Sequence, residues 1–364
     1  MKKIIYYISE YGFGHATRSI AIIRELLRNP EIHIEVVNEF ALGFIRRSVL
    51  HKNVSYYSFS SDIGYILKDG SIEPNPKRQI HELNCFTNNL DKLVNSEVKR
   101  LSKYKVDLII SDISPIAFQV ADRLGVPSIG ISNFTWFTAF EGLVPSEYLY
   151  PLKEAYKKMD YYYALAGSNE VKWGRKENFH FDFYSRKVDQ EEVKRIRSNL
   201  AREKKLVFIG FGMKMKIHDL QKLQIWNSPD TNFIVSSNLQ IDHPNVFKIP
   251  HDYLETQNYI AACNLVITKA GWGTVGEAVF AGIPLLIIER DGMKEDENTI
   301  QYLKASNRAK TISWNNFKKY IYDSKSIGVN NIKCPDTLSF DNMIKKIDEI
   351  LGIKGNIGRT TYLE

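Results

Sequence analysis

Residues 265–278 read LVITKAGWGTVGEA, and this stretch determines how the rest of the chain is interpreted. Apolar β-forming residues lead through Lys269 into a glycine-rich turn, and Val275 to Ala281 has the composition of a helix. Glycine lets the backbone come close to a ligand, and the N–H groups at the start of a helix bind anions. The pattern predicts a strand, a turn and a helix with an anion site, while an ordinary glycine-rich connection remains the alternative.

Five residues of this stretch are candidates for binding a phosphate-containing ligand. Lys269 and the N–H groups around Gly271 and Gly273 would supply positive charge and donors. Thr274, at the predicted N-cap, would add a hydroxyl donor. Glu277 lies near the start of the helix and could accept two hydroxyl groups, as a ribose would present.

Length and composition limit the classes of protein to be considered. The chain has 364 residues, more than one hydrophobic core usually serves, so we expect two domains. Hydrophobic residues at 44% and charged residues at 25% are typical of a folded soluble protein. The net charge of +7 suits an anionic ligand or an anionic membrane surface. We expect no nucleic-acid partner, because the basic residues are dispersed and form no recognisable binding module.

The cysteines and the apolar runs indicate a compartment. Cys85, Cys263 and Cys334 form no C-x-x-C pair, which favours reduced thiols in a cytoplasmic protein. The apolar run after Met1 ends within a few residues, at Glu10, and no other run approaches the ~20 residues of a membrane-spanning helix. We therefore expect a cytoplasmic protein, with peripheral contact to a membrane as an alternative.

Strand-like and helix-like patterns alternate along the chain, which predicts doubly wound parallel sheets. Helices are expected directly after the first strand and over about 79–103 and 116–124. A further, amphipathic helix is expected near 339–352. The predicted strands fall in two series, one in each half: 4–8, 32–37, 54–59, 106–111 and 127–132, and then 206–210, 232–236, 265–268 and 284–288.

The turn after the first strand carries Gly12 and Gly14, and His15 follows directly. A helix N-terminus favours a neutral imidazole, the form that a general base requires. Asp112 closes a neighbouring predicted strand at the same sheet edge and could orient His15. Capping of the next helix is the alternative role for Asp112. The turn also admits a weak dinucleotide-binding interpretation, in which Glu39 would bind a ribose, but the third glycine is missing.

The stretch 265–278 resembles the donor-binding signature of nucleotide-sugar glycosyltransferases of the GT-B group. Plant-type members read His-Cys-Gly-Trp-Asn-Ser followed closely by Glu, and here Gly271, Trp272, Thr274 and Glu277 fall in register. The resemblance implies an α/β fold of two Rossmann-like domains that face a central cleft. It also implies that Lys269, at the position of the His, holds the diphosphate with the turn amides, and that Glu277 binds the ribose.

Further stretches extend the resemblance over most of the chain. Gly14-His15 and Asp112 match the Gly-His pair and the orienting Asp of plant-type members, which implies that His15 is the base and that Asp112 orients it. The chain is similar, in order, to the glycosyltransferase-like N-terminal region of plant L-arabinokinases. The stretches that carry this likeness are 11–18, 132–136, 273–278, 289–291 and 295–298.

The same comparison implies further donor contacts. Plant-type enzymes place an acid and a Gln, which contact the sugar, ahead of an Asn. Counting back from Asn298, a candidate donor-binding residue, gives Glu295 for the Gln and Lys294 for the acid. Gly212, after the first strand of the second series, would bring amides to the diphosphate, with a plain tight turn as the alternative. Asp-x-Asp is absent from the sequence and the histidines show no ligand spacing, so we expect no metal and no cofactor. Helix ends, Lys269 and turn amides would then neutralise the diphosphate.

Ten of the thirty residues in 134–163 are aromatic, which predicts an acceptor-binding wall. Gly14, Phe134, Trp136 and Phe137 are the candidate acceptor residues. The lysines in the segment would also suit an anionic lipid surface. Packing of half or more of the rings into the core is the alternative.

Together these features predict a hexosyl or pentosyl transferase. The domains would be an acceptor domain at 1–188, a donor domain at 189–335 and a terminal segment at 336–364 that crosses back. We expect inverting transfer from a nucleoside diphosphate sugar, with a UDP-sugar favoured, to a hydroxyl of a sugar, a lipid-linked acceptor or a small molecule. The alternatives are a nucleotide-sugar hydrolase or epimerase and a non-catalytic nucleotide-sugar-binding protein.

Overall fold

A computed structural model describes residues 1–212, 220–323 and 336–353 of the chain. It contains two compact units. The first comprises Met1–Ile66, Pro74–Asp182 and the described residues from Asp336 onward, and the second comprises Leu67–Glu73 and the described part of Phe183–Pro335. The domain limits of 1–188, 189–335 and 336–364 were derived from the sequence, and they stay a prediction.

The first unit is built on a sheet of seven parallel strands in the order β3-β2-β1-β4-β5-β6-β7, counted over the described residues. The five predicted strands of the first series are confirmed, with small shifts at their ends. β6 and β7 were not predicted, because β6 lies in the tyrosine-rich run and β7 is an edge strand with little buried surface. The strands are β1 (Lys2–Ile8), β2 (Ile32–Val37), β3 (Val54–Tyr57), β4 (Leu108–Asp112), β5 (Ser128–Ser132), β6 (Tyr161–Leu165) and β7 (Glu177–Phe181).

Helices cover this sheet and bury apolar stripes against it. Leu90 and Val94 of one long helix and Val120 of the next pack with Ile5 and Ile109 of the sheet. Burial of such a side chain stabilises the fold by about 1.5–3 kcal/mol. The helices are α1 (Phe13–Leu26), α2 (Leu42–Ser48), α3 (Pro76–Leu101), α4 (Pro115–Leu124), α5 (Trp136–Ala139) and α6 (Tyr150–Tyr156).

The second unit repeats the plan with six parallel strands in the order β10-β9-β8-β11-β12-β13, again counted over the residues described. The four predicted strands are confirmed. The prediction lacked the two edge strands, because β10 has three residues and β13 is largely polar. The strands are β8 (Lys205–Gly210), β9 (Thr231–Val235), β10 (Val246–Lys248), β11 (Leu265–Lys269), β12 (Leu285–Glu289) and β13 (Ala309–Ser313). The helices are α7 (Gln190–Leu200), α8 (Gln257–Ala261), α9 (Trp272–Phe280), α10 (Lys294–Ala305) and α11 (Trp314–Phe317).

The last described helix, α12 (Thr337–Ile350), belongs to the first unit. Its Ser339 hydroxyl accepts a hydrogen bond from the N–H of Asp182 at 2.9 Å. Met343 and Ile347 are fully buried, as expected for the apolar face predicted near 339–352. The helix packs on α1 and β7.

Strand order locates the ligand-binding edge of each unit. In open parallel sheets, ligands bind at the carboxyl ends of the strands where the order reverses. This point lies between β1 and β4 in the first unit, where Ile8 pairs with Asp112. In the second unit it lies between β8 and β11, where Gly210 pairs with Thr268. The predicted site residues cluster at these two edges.

Candidate active site

His15 lies at the start of α1, directly beyond the carboxyl end of β1. Gly12, the N-cap of this helix, has φ of 84°, a conformation that glycine adopts without strain. The Nδ1 atom of His15 is 2.9 Å from Oδ1 of Asp112, and both side chains are buried. The structure therefore brings together the two residues that the sequence predicts as base and orienting acid.

A third residue, Arg18, completes this cluster and was not predicted. Its Nε donates to Oδ2 of Asp112 at 2.7 Å, and its Nη2 donates to the other carboxylate oxygen. Burial alone would raise the pKa of Asp112, but the attraction of Arg18 and then of His15 outweighs burial and lowers it to about 2. Asp112 is therefore a fixed anion at neutral pH. Arg18 lies one helical turn after His15, and that spacing is the signal from which it could have been found.

The backbone directly after Asp112 is strained. Ile113 has φ of 58°, and a β-branched side chain is disfavoured in this left-handed region. Its carbonyl accepts a hydrogen bond from the hydroxyl of Tyr156 at 2.7 Å, which holds the conformation. Strain of this kind costs about 1–3 kcal/mol and concentrates at functional sites. It marks the end of β4 as a candidate site independently of the His15 contact.

The predicted acceptor residues differ in their exposure. Phe134 and Trp136 are buried, and the indole N–H of Trp136 donates to Asp62 at 2.8 Å. Their burial favours the core-packing alternative for these two rings. Gly14 is exposed and Phe137 is half-buried, so both present surface.

Most of the ten rings in 134–163 behave as Trp136 does. Six of them are buried, which is the alternative that the sequence left open. They are Phe134, Trp136, Phe140, Tyr156, Tyr162 and Tyr163. Half-buried Tyr11, outside this segment, packs edge-on to Trp136 with ring centroids 5.5 Å apart. Tyr11 was not predicted as an acceptor residue, although it belongs to the quoted stretch 11–18.

The glycine-rich turn of the second unit forms the N-terminus of α9. Gly271 is the N-cap, and no side chain of this residue caps the first turn of the helix, the end at which N–H groups lack partners within the helix. The prediction of Thr274 as N-cap was wrong, because the helix begins at Trp272. The Trp272 ring packs against Phe183 and Tyr184, with ring centroids 5.2 and 5.1 Å away, and this packing holds it in the first turn. Gly273 is the second residue of the helix.

Lys269, the last residue of β11, approaches two of the candidate glycines. A Cβ atom added to Gly271 would lie 3.0 Å from its Nζ, and one added to Gly212 would lie 3.3 Å from its Cε. Burial lowers the pKa of Lys269, and Arg290 lowers it further against the opposing attraction of Asp296. A buried ammonium group beside the N-terminus of a helix has the chemistry of an anion site.

The candidate sugar-contacting residues lie on α10, and Glu295 and Asn298 are both buried. The Nδ2 of Asn298 has no hydrogen-bond partner among the described residues. Arg290 donates two bonds of 2.6 Å to Asp296 next to these residues. Neither Arg290 nor Asp296 was predicted as a site residue, although the stretches that carry the resemblance include both.

Glu277 is buried in α9 and bonded to an arginine. Its Oε1 accepts from Nη2 of Arg186 at 2.8 Å, and the Arg186 side chain is fully buried. Burial raises the pKa of Glu277, and Arg186 opposes this rise. A carboxylate has about four acceptor sites, so one bond to Arg186 leaves capacity for ligand hydroxyls.

The remaining predictions concern the cysteines, metal ions and membrane-spanning helices. Cys85 and Cys263 are free thiols, and Cys334 lies outside the described residues. Over the ranges that the structure describes, no group of three His, Cys, Asp or Glu side chains could hold a metal ion. Within the same ranges, none of the helices has the length and apolar character needed to cross a membrane.

Two glycosyltransferase family models match this chain. The model for glycosyl transferase family 1 matches residues 2–148, and the glycosyltransferase family 28 C-terminal domain matches residues 231–323. With the two parallel sheets, these matches define the chain as a glycosyltransferase of the GT-B class.

The chain is also similar to individual proteins. It is 24% identical over 306 residues to an L-arabinokinase from Arabidopsis thaliana, covering 80% of this chain but only 28% of that relative's length. It is 23% identical over 344 residues to an uncharacterized glycosyltransferase from Methanosarcina acetivorans, covering 86% of both.

Solved structures share the fold at low sequence identity. The calicheamicin glycosyltransferase CalG4 superposes with a TM-score of 0.63 at 12% identity, covering 98% of this chain and 100% of CalG4. Phytolacca americana UGT2, complexed with UDP-2fluoro-glucose and pterostilbene, gives 0.59 at 11% identity, covering 97% and 94%.

Proposed function

We propose that this enzyme transfers a glycosyl group from a nucleoside diphosphate sugar to an acceptor hydroxyl with inversion at the anomeric carbon. The Nε2 of His15 takes the hydroxyl proton. The acceptor oxygen then bonds to the anomeric carbon as the bond from that carbon to the diphosphate breaks. The diphosphate leaves with the bonding electron pair. The contact of 2.9 Å between His15 and Asp112 at the switch point of the first sheet carries this proposal.

The second unit supplies the proposed donor site. The N-terminus of α9 and the ammonium of Lys269 would neutralise the diphosphate without a metal ion. Glu277 would bind the ribose, and Glu295 and Asn298 the sugar. The buried Nδ2 of Asn298, which lacks a partner in the described structure, supports its part in this assignment. UDP is the favoured nucleotide, because structures of similar fold were solved with UDP or a UDP-sugar.

Surface-exposed residues of the first unit limit where the acceptor can bind. Exposed Gly14 and half-buried Tyr11 and Phe137 lie in segments next to His15 or to the buried aromatic cluster. Flat apolar ring faces of this kind suit sugar rings and other planar or apolar acceptors. We propose that the acceptor contacts these residues rather than the buried rings of Phe134 and Trp136.

Replacement of His15 by Gln tests the base. The full-length enzyme is screened with a panel of UDP-, GDP- and TDP-sugars and hydroxyl acceptors, and product configuration is determined by NMR spectroscopy. His15→Gln should lower kcat by about 10²–10⁴-fold and leave the donor dissociation constant unchanged. His33→Gln is the matched control, because His33 lies on β2 and its imidazole bonds to Ser55.

The same screen separates the alternatives. Wild-type transfer rates in His15→Gln would remove the base assignment, and a retained anomeric configuration would remove the inverting mechanism. Loss of activity on treatment with EDTA would contradict metal independence. Consumption of the donor without an acceptor would indicate a hydrolase, and donor binding without any turnover would indicate a nucleotide-sugar sensor.

A further inference from the structure

Arg18 is a charged residue that is buried beside the proposed base. Its guanidinium donates to Asp112 through Nε at 2.7 Å and through Nη2. Nη1 donates to Oδ1 of Asn133 at 2.8 Å, and Nη2 donates to the hydroxyl of Ser132 at 3.0 Å. The guanidinium therefore connects the carboxyl ends of β4 and β5 to α1.

The contacts of Nδ1 with Arg18 and Asp112 indicate the tautomer of His15. A guanidinium Nη atom carries two hydrogens, and the bonds to Asp112 and Ser132 use both. Nη2 also lies 2.9 Å from Nδ1 of His15, but it has no third hydrogen to donate. Nδ1 is also 2.9 Å from Oδ1 of Asp112, and without a hydrogen it would be an acceptor facing an acceptor, so we assign the hydrogen between the two residues to Nδ1. An imidazole protonated at Nδ1 has its lone pair on Nε2.

We propose that Arg18 is a positioning residue for the glycosyl transfer: it engages both oxygens of Asp112 and keeps His15 in the neutral form protonated at Nδ1. This inference deepens the proposed function and rests on His15 being the base in that reaction. Arg18 itself does not contact the reacting atoms in this role. It acts through Asp112 and His15.

The charges around His15 explain why an arginine is needed here. A lone buried carboxylate next to an imidazole would stabilise the imidazolium, which cannot accept a proton. The positive charge of Arg18 offsets that attraction, and the low pKa of Asp112 agrees with a tight pair. Asp62 is a further carboxylate that interacts electrostatically with His15, and it accepts hydrogen bonds from the N–H of Glu10 at 2.9 Å and from the Trp136 indole.

The tautomer can be measured without a substrate. Full-length protein labelled with ¹⁵N at histidine is examined by long-range ¹H–¹⁵N NMR spectroscopy, and His15→Gln identifies the His15 signals. We expect the shift of a protonated nitrogen at Nδ1 and of an unprotonated nitrogen at Nε2. An imidazole protonated at Nε2 would overturn the proposal. Because the readout needs no turnover, failure of the proposed glycosyl transfer would not be confused with failure of this inference.

Two variants test the charge of Arg18. In Arg18→Gln, the imidazole of His15 should take up its proton at a higher pH than in the wild type, because the charge of Asp112 is no longer offset. In Arg18→Lys, which keeps the charge, the titration should stay close to that of the wild type. Arg24→Gln, on the same helix but bonded to the carbonyl of Ser48, is the control and should change nothing.

The outcomes of this series are decisive in either direction. Equal titration of His15 in the wild type and in Arg18→Gln would overturn the role of the charge. If Arg18→Gln does not fold, Arg18→Lys and the wild-type tautomer still decide. A purely structural residue would alter stability without moving the titration of His15.

Discussion

The buried pair of Glu277 and Arg186 leads to a prediction in which stability and ligand binding can be separated. Glu277→Ala would remove the carboxylate that bonds to Nη2 of Arg186 at 2.8 Å. The guanidinium would keep its bonds to the Leu254 carbonyl at 2.6 Å and to the Thr256 hydroxyl at 3.1 Å. The buried charge of Arg186 would then be compensated by the carboxylate of Glu255, which lies 3.8 Å away.

The expected cost follows from this geometry. Removal of one partner of a buried ion pair costs about 3–5 kcal/mol. Because Glu255 compensates in part, we expect about 3 kcal/mol for Glu277→Ala, or roughly 6–12 °C in the melting temperature of the second unit. Glu277→Gln keeps an acceptor for Arg186 and should cost only about 1 kcal/mol. Glu255→Gln, a change at the more distant and more exposed partner, is the matched control and should cost less than about 1 kcal/mol.

Calorimetry measures both effects in the same samples. Scanning calorimetry gives the stability of each variant, and titration calorimetry gives the affinity for UDP. If Glu277 binds the ribose, Glu277→Gln should weaken UDP binding by about 1–3 kcal/mol while remaining folded, and Glu255→Gln should not. Unchanged UDP affinity in Glu277→Gln would refute the ribose contact. Wild-type stability of Glu277→Ala would refute the reasoning about the buried pair.

Three further predictions concern the first unit. The folded-state pKa of Asp112, about 2 against an ordinary 3.8, means that its contribution of about 2 kcal/mol is complete above pH ~4 and is lost as the pH falls through 2. The difference in unfolding free energy between wild type and Asp112→Asn, measured with urea, should therefore shrink from pH 5 towards pH 2, and a constant difference would contradict this. Gly64→Ala would place a Cβ atom 2.2 Å from the Tyr11 ring. The displaced ring should destabilise the protein by about 1–3 kcal/mol and raise the KM for the acceptor. An unchanged melting temperature and KM would remove Tyr11 from the acceptor surface. Vesicles of anionic lipid should not carry the protein in flotation at low salt, because most rings of 134–163 are buried, whereas co-flotation would establish a membrane contact.

Much of the fold could be predicted because its signals are local. An apolar run of about five residues, a glycine-containing turn and an amphipathic helix recur in both halves, and parallel strands with right-handed crossovers leave few topologies. Three of the four strands that the sequence did not predict, β7, β10 and β13, lie at sheet edges, where little apolar surface is buried. Without that surface, the periodicity on which the prediction depends is weak.

The candidate site could be predicted only in part, because its electrostatic partners are distant in sequence. His15 and Asp112 were found because each follows a strand at the same sheet edge. The bond between Arg18 and Asp112 spans 94 positions, and the bond between Arg186 and Glu277 spans 91. No local sequence pattern indicates that two residues so far apart in the chain form an ion pair. The start of α9 was misplaced for a similar reason, since the contacts of Trp272 with Phe183 and Tyr184 are invisible in a glycine-rich stretch.

Asp112 and Glu277, two buried carboxylates of the proposed reaction, are held by arginines in different ways, and this difference matches their proposed tasks. Arg18 engages both oxygens of Asp112, so attraction outweighs burial and the pKa falls to about 2. Arg186 bonds one oxygen of Glu277, and burial prevails, so the pKa of Glu277 rises. An acid that orients a base must keep its charge and position through the reaction, and Asp112 does both. An acid that binds ribose hydroxyls needs acceptor sites that its arginine does not occupy. Because Arg186 makes a single bond to Glu277, such sites remain on this carboxylate.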